Sequence, residues 1–287
     1  MVFTTYSNVE VPNFMYGTAW KKEATTDLVR LAVQSGFTAI DTANQLIHYD
    51  EKRVGDALQL LKDNGVGRDK LFLQTKFTPV NGQGDTTPYD AGADLTTQVR
   101  QSMASSLEHL RTEQVDSYVL HGPYSRYGLT PSDLEVWSAM EALLQEGKTR
   151  IIGVSNVSAE QLQLFCEKSQ TKPMVVQNRC FAASAWDKDV REICRREGII
   201  YQGFSLLTAN PQSLGNPYVR DLAEKLSVTV PQLIFAFSVQ IGILPLTGTS
   251  NKEHMMEDLE ADKVKLSEDE VNRIESLVAY KSVASRD

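Results

Sequence analysis

The sequence predicts an α/β fold: a (β/α)8 TIM barrel forming one domain over residues 1–287. Three observations predict it. Short apolar runs alternate with segments of helical spacing about eight times along the chain. The apolar runs lack polar alternation, as expected of strands buried on both faces. No G-x-G-x-x-G turn follows the first strand, which disfavours a doubly wound open sheet.

Taken in order, residues 3–11 alternate weakly and predict a small β-hairpin turning at Ser7-Asn8 and closing the bottom of the barrel. Residues 14–16 are the first short strand. Residues 25–35 have helical spacing, with Leu28, Leu31, Ala32 and Val33 as the apolar face and Gly36 as the stop. Strand 38–41 precedes a helix near 52–64. Strand 71–76 is followed, after a long loop, by a helix near 95–110. Strand 117–121 leads to a helix near 132–146, strand 151–154 to one at 159–168, and strand 174–177 to one at 188–197. Strand 199–201 precedes helical stretches at 218–224 and 230–238. The last strand, 243–245, leads into a helix at 253–259. Residues 267–279 are a final helix, with Ser267 and Glu270 as a capping box.

Bulk properties narrow the function classes. Hydrophobic content is 41% and charged content 23%, ordinary for a globular chain. A net charge of −8 argues against nucleic acid or an anionic membrane as partner. No apolar run approaches the ~18–20 residues of a membrane span, and no secretory signal opens the chain. Cys166, Cys180 and Cys194 show no CxxC spacing. They read as reduced, buried thiols of a cytoplasmic protein. No residue pattern predicts a metal site.

In a parallel barrel the active site lies at the C-terminal ends of the strands. There the sequence places Asp41, Lys76 and His121, each closing a short apolar run, and Gln177 further on. Ionisable groups at neighbouring strand ends are costly unless paired or used. Asp41 and Lys76 can form a buried pair that keeps the lysine charged. A lysine so held lowers the pKa of a nearby tyrosine, which can then protonate a carbonyl oxygen, while an imidazole orients that carbonyl. A hydride must come from a reduced nicotinamide or flavin, since no side chain supplies one.

These residues stand within a series of motifs: GFTAIDTA, VGDAL, LFLQTKF, VDSYVLHGP, GKTRIIGVSNVS, VVQN, FSLL and ILPLTGTS followed by HMMEDL. In that order, over nearly the whole chain, they resemble the aldo-keto reductases. The resemblance implies a (β/α)8 barrel, NADPH bound across the strand ends, and a catalytic tetrad of Asp, Tyr, Lys and His. Asp41, Lys76 and His121 match three of the four. Counting forward from Asp41, the family places its tyrosine where Leu46 stands. Counting back from Val54-Gly55 lands on His48, beside Tyr49. The loop therefore carries extra residues. Tyr49 is assigned as the acid because a phenol suits the proton transfer, with His48 as the alternative acid or a pocket residue.

The resemblance also implies the cofactor contacts. Gly17, Thr18 and Ala19 follow the first strand, and Asp41 borders the nicotinamide. Ser155, Asn156 and Gln177 hold its carboxamide, and Phe204 stacks on its ring. Ser205, Leu206 and Leu207 approach the pyrophosphate. Gly248, Thr249, Ser250, His254, Glu257 and Asp258 meet the adenosine end. NADP(H) is favoured by the resemblance, and NAD(H) remains open because the cations expected for a 2′-phosphate are missing. Trp20, His48 and His121 line the substrate pocket, and long loops at 78–94 and 122–129 add Tyr89, Tyr124 and Tyr127. The expected partner is a small carbonyl compound, and the expected state a monomer or weak homo-oligomer. Two other classes stay open: a nucleotide-binding sensor of the same fold, and a lysine Schiff-base enzyme acting through Lys76.

Overall fold

The computed structural model describes residues 2–277. Strands β1 (Val2–Thr4) and β2 (Glu10–Pro12) pair antiparallel. Eight parallel strands then close a barrel: β3 (Met15–Gly17), β4 (Ala39–Asp41), β5 (Phe72–Phe77), β6 (Val115–Leu120), β7 (Thr149–Ser155), β8 (Val175–Arg179), β9 (Ile200–Phe204) and β10 (Ile243–Thr247). Neighbours in sequence are neighbours in the barrel, and β10 returns to β3 through Leu246–Met15 and Thr247–Tyr16. This is the predicted (β/α)8 barrel.

The helices are α1 (Thr25–Ser35), α2 (Glu51–Asp63), α3 (Leu95–Leu110), α4 (Pro131–Gln145), α5 (Ala159–Lys168), α6 (Lys188–Glu197), α7 (Pro211–Leu214), α8 (Pro217–Lys225), α9 (Val230–Gln240), α10 (Lys252–Glu260) and α11 (Glu268–Ser276). Their ends follow local chemistry. Gly36 stops α1 at φ 115°, a conformation that costs glycine little. Asp50 caps α2 by accepting from Arg53 N. Ser267 and Glu270 form the predicted capping box of α11. The expected last two residues of that helix, 278–279, lie outside the described residues. The short α7 was not expected; it is a single proline-initiated turn after Asn210. No single described helix is long and apolar enough to cross a membrane.

Two cores result. Outward residues such as Ile40, Leu73, Tyr118, Ile152, Val176 and Tyr201 pack against the helices. Inward residues Met15, Ala39, Phe72, Val119, Ile151, Val175, Ile200 and Leu244 fill the barrel's lower end. Val11, Phe3 and Val9 of the hairpin pack onto that inner cluster, so the hairpin covers the floor as expected. Above the floor the inner face turns polar, at Gln74, Gln177 and Gln202. The strands are therefore not uniformly apolar. Alternation puts the polar side chains inside and leaves apolar ones facing the helices.

Candidate active site

The strand period of two carries the inward face upward from the floor. In β5 it runs Phe72, Gln74, Lys76; in β8, Val175, Gln177, Arg179; in β9, Ile200, Gln202, Phe204. Asp41 ends β4 beside them. Gln74 and Gln202 exchange amide hydrogen bonds of 2.8 and 3.0 Å, and Gln177 Nε2 donates to Gln202 Oε1 at 3.0 Å. Gln74 and Gln177 also donate to Asp41 Oδ1, at 2.7 and 3.0 Å. This layer of amides is the platform under the site.

Lys76 is fully buried, and its Nζ donates to Asp41 Oδ1 (2.6 Å), Asp41 Oδ2 (2.7 Å) and the Thr42 carbonyl (2.8 Å). Three acceptors match the three N–H bonds of an ammonium. Burial pulls the lysine pKa down, and the carboxylate of Asp41 opposes it. The predicted ion pair is present.

Tyr49 borders the cleft above this pair. Lys76 Nζ is 5.3 Å from the centroid of its ring, and the His121 ring meets it edge-on at 5.9 Å. The ammonium reaches the phenol through space and not by a hydrogen bond, because its protons are committed to Asp41 and Thr42. Burial, with the charge of Asp41, pushes the phenol well above its ordinary pKa. This corrects the expectation that Lys76 lowers it: burial outweighs the ammonium, and the negative charge of Asp41 adds to the rise. A phenol held up in this way keeps its proton throughout the neutral range.

His121 lies one residue beyond the strand predicted to contain it, with its N–H bonded to the Phe77 carbonyl at 2.8 Å. Its Nδ1 is 2.8 Å from Thr78 Oγ1. Burial and the neighbouring Lys76 and His48 depress its pKa to about 3, so the ring is neutral at physiological pH. His48 is engaged elsewhere. Its Nδ1 pairs with Gln45 Oε1 at 2.7 Å, and its ring packs on Trp20 at a tilt of 43°, with centroids 3.9 Å apart. Trp20 has φ 64° and is tied to the same loop by its N–H to the His48 carbonyl, 2.7 Å.

Around these groups lies a cleft of about 960 Å³ across the top of the barrel. Of the residues assigned to the cofactor, Gly17, Ala19, Asp41, Asn156, Gln177, Phe204, Ser205, Leu206, Leu207, Gly248 and Thr249 line it, as do Trp20, His48, Tyr49 and His121. Thr18 lies beneath, with its N–H and hydroxyl both donating to the Asp41 carbonyl at 3.0 Å. Ser155 is buried, its hydroxyl donating to the Gln177 carbonyl at 2.6 Å. Asn156 reaches Ser155 Oγ at 3.1 Å and the His121 carbonyl at 2.8 Å, with φ 55°.

Ser250, His254, Glu257 and Asp258 fall outside the cleft wall, at and along α10. Asn251, not singled out in the sequence, caps that helix by accepting from the N–H groups of Glu253 and His254. Two first-turn amides of α10 are thus already bonded within the helix. Burial pushes the Asp258 carboxyl up to about 6. The loop tyrosines are not pocket walls: Tyr89 is buried on Phe77 with its hydroxyl on the Thr78 carbonyl at 2.7 Å, and Tyr127 is exposed.

Sequence reasoning missed Gln74, Gln202 and Thr78, as well as Lys21 and Arg179, which line the cleft. A signal existed for three of them. Gln74 and Thr78 stand two residues either side of Lys76, and Arg179 two beyond Gln177, so each shares an inward face with a recognised residue. Among the described residues no group of His, Cys, Asp or Glu is arranged to hold a metal ion. Cys180 and Cys194 are buried and Cys166 half-buried, and burial raises all three thiol pKa values.

The chain is similar in sequence to glyoxal reductase of Bacillus subtilis, 29% identical over 276 residues, covering 95% of this chain and 91% of that one. It is also 29% identical over 283 residues to the NAD/NADP-dependent indole-3-acetaldehyde reductase of Schizosaccharomyces pombe, covering 94% and 92%. In fold it matches the crystal structure of an aldo/keto reductase from Brucella melitensis, with TM-score 0.82, 23% identity, and 96% and 97% of the two chains covered. A family model described as the Aldo/keto reductase family matches residues 13–279, and the chain belongs to that family of oxidoreductases.

Proposed function

We propose that the chain is an NAD(P)H-dependent reductase of aldehydes or ketones, with Tyr49 as the proton donor. The observation that carries this is the position of Tyr49 on the cleft wall, against His121 and over the Asp41–Lys76 pair. The cleft fits an extended dinucleotide. Gly17 and Gly248 line it at the ends of β3 and β10, and Phe204 and the amides of Asn156 and Gln177 line it at β7 to β9. Bound there, a reduced nicotinamide would supply the hydride. The protein's part is acid chemistry and positioning. Tyr49 holds a proton for the carbonyl oxygen, and neutral His121 offers a hydrogen bond that orients it. Lys76, held by Asp41 with its Nζ 5.3 Å from the centroid of the Tyr49 ring, positions the phenol.

The reductases of B. subtilis and S. pombe are named for aldehydes, and the second for use of both NAD and NADP. Both facts support an aldehyde substrate and leave both cofactors in play. NADP(H) is the first choice, with NAD(H) the alternative. The test is loss of reduced-cofactor absorbance with glyoxal and a panel of aldehydes. Tyr49→Phe is expected to lower kcat by about 10²–10⁴-fold, and His48→Ala to retain measurable turnover. Cofactor binding without turnover across the panel would instead support the sensor reading. Residual full activity in Tyr49→Phe would remove Tyr49 from the mechanism.

A further inference from the structure

We propose that Arg179 receives a carboxylate carried by the carbonyl substrate, which makes acidic aldehydes the favoured class; this rests on the reductase reading above. Arg179 is the last residue of β8 and shares the inward face with Gln177, whose amide reaches Asp41. It stands opposite Phe204 in the β8–β9 register and lines the cleft together with His121 and Asn156. Its guanidinium carbon lies 5.5 Å from the centroid of the Phe181 ring, a contact that steadies the group without using its N–H donors. Among the described residues its guanidinium has no ion pair and no hydrogen bond.

The charge around it points to an anion. The chain as a whole carries −8, yet the cleft wall holds Lys21, Arg179 and one carboxylate, Asp41, which Lys76 already neutralises. Lys21 is tied to the Gly248 carbonyl on the β3–β10 side. Arg179 keeps its planar fork available, and that fork matches a carboxylate through two parallel hydrogen bonds. A cofactor phosphate offers similar oxygens. Arg179 stands two strands from His121 on one side and two from Gly248 on the other, so the NADPH arm of the test separates the two sources.

The test compares wild type, Arg179→Gln and Arg179→Lys on 4-carboxybenzaldehyde and benzaldehyde, with NADPH titrated in each case. Wild type should prefer the carboxylated aldehyde in kcat/KM. In Arg179→Gln the preference should fall about 10- to 100-fold, mainly through KM, with partial recovery in Arg179→Lys. An unchanged preference overturns the proposal, and so does a rise in the KM for NADPH with the preference intact, which would assign the fork to a cofactor phosphate. Calorimetric binding of 4-carboxybenzaldehyde to wild type and Arg179→Gln reads the contact without turnover. Loss of binding in the variant supports the proposal even if the wild type reduces no aldehyde, an outcome that would sink the reductase reading alone. Equal binding in both proteins overturns it.

Discussion

Lys76 and Asp41 form a two-pronged contact, 2.6 and 2.7 Å from the ammonium to the two carboxylate oxygens, in the interior of the barrel. Removing either partner strands a buried charge. Asp41→Asn or Lys76→Met is therefore expected to destabilise the fold by about 3–5 kcal/mol, measured as a shift of the urea midpoint. The double variant should recover part of that loss, since both charges are gone. Wild-type stability in the single variants would mean that water reaches the pair.

His121 gives stability a dependence on acid. Its folded pKa of about 3 lies below the ordinary value of 6.5. Between those values the unfolded chain holds a proton that the folded chain does not. The folded state is thus fully favoured above pH 6.5 and loses stability as pH falls, by up to about 1.4 kcal/mol per unit for one proton. Urea midpoints of wild type and His121→Asn across that window measure the effect. A wild-type slope that persists unchanged in the variant assigns it to other groups.

The same two rings shape the rate profile. His121 is already neutral and Tyr49 still protonated throughout the neutral range. Reduction measured at saturating cofactor should therefore show no ionisation near pH 6.5. A clear limb there, absent in His121→Asn, would mean that the imidazole titrates in the working enzyme.

Gly55 decides how closely α2 and α3 approach. A Cβ at this position would lie 1.9 Å from the His109 carbonyl oxygen, which belongs to backbone and cannot swing away. Gly55→Ala is expected to cost about 1–3 kcal/mol by overpacking, despite alanine's better helix propensity. Thermal melts of the variant test this. A gain in stability would show that the helices separate freely.

How much of this could be read from the chain alone differs by region. The barrel was legible because its signals are local: a buried run such as 72–77, a helix cap such as Ser267, a stop such as Gly36. Asp41, Lys76 and His121 were legible because an ionisable group closing a buried run must be paired or put to use. The hydrogen bonding that joins Gln74, Gln177 and Gln202 into a platform was not, because its partners are 128 and 25 residues apart and strand alternation gives a face but not a partner. The sense of the Tyr49 shift failed for a similar reason. The sequence names Lys76 as a neighbour but does not say how deeply Tyr49 is buried or that the Asp41 charge acts on it.

The seam between β10 and β3 joins the first and last strands of the barrel through only two residue pairs, Leu246–Met15 and Thr247–Tyr16. Gly17 and Gly248, on either side of it, both line the cleft. A dinucleotide lying there would fasten the two ends of the barrel to each other as well as serve the chemistry. Ligation and closure would then be one event. The expected sign is that saturating cofactor slows proteolysis at the seam by about the mass-action factor its affinity dictates.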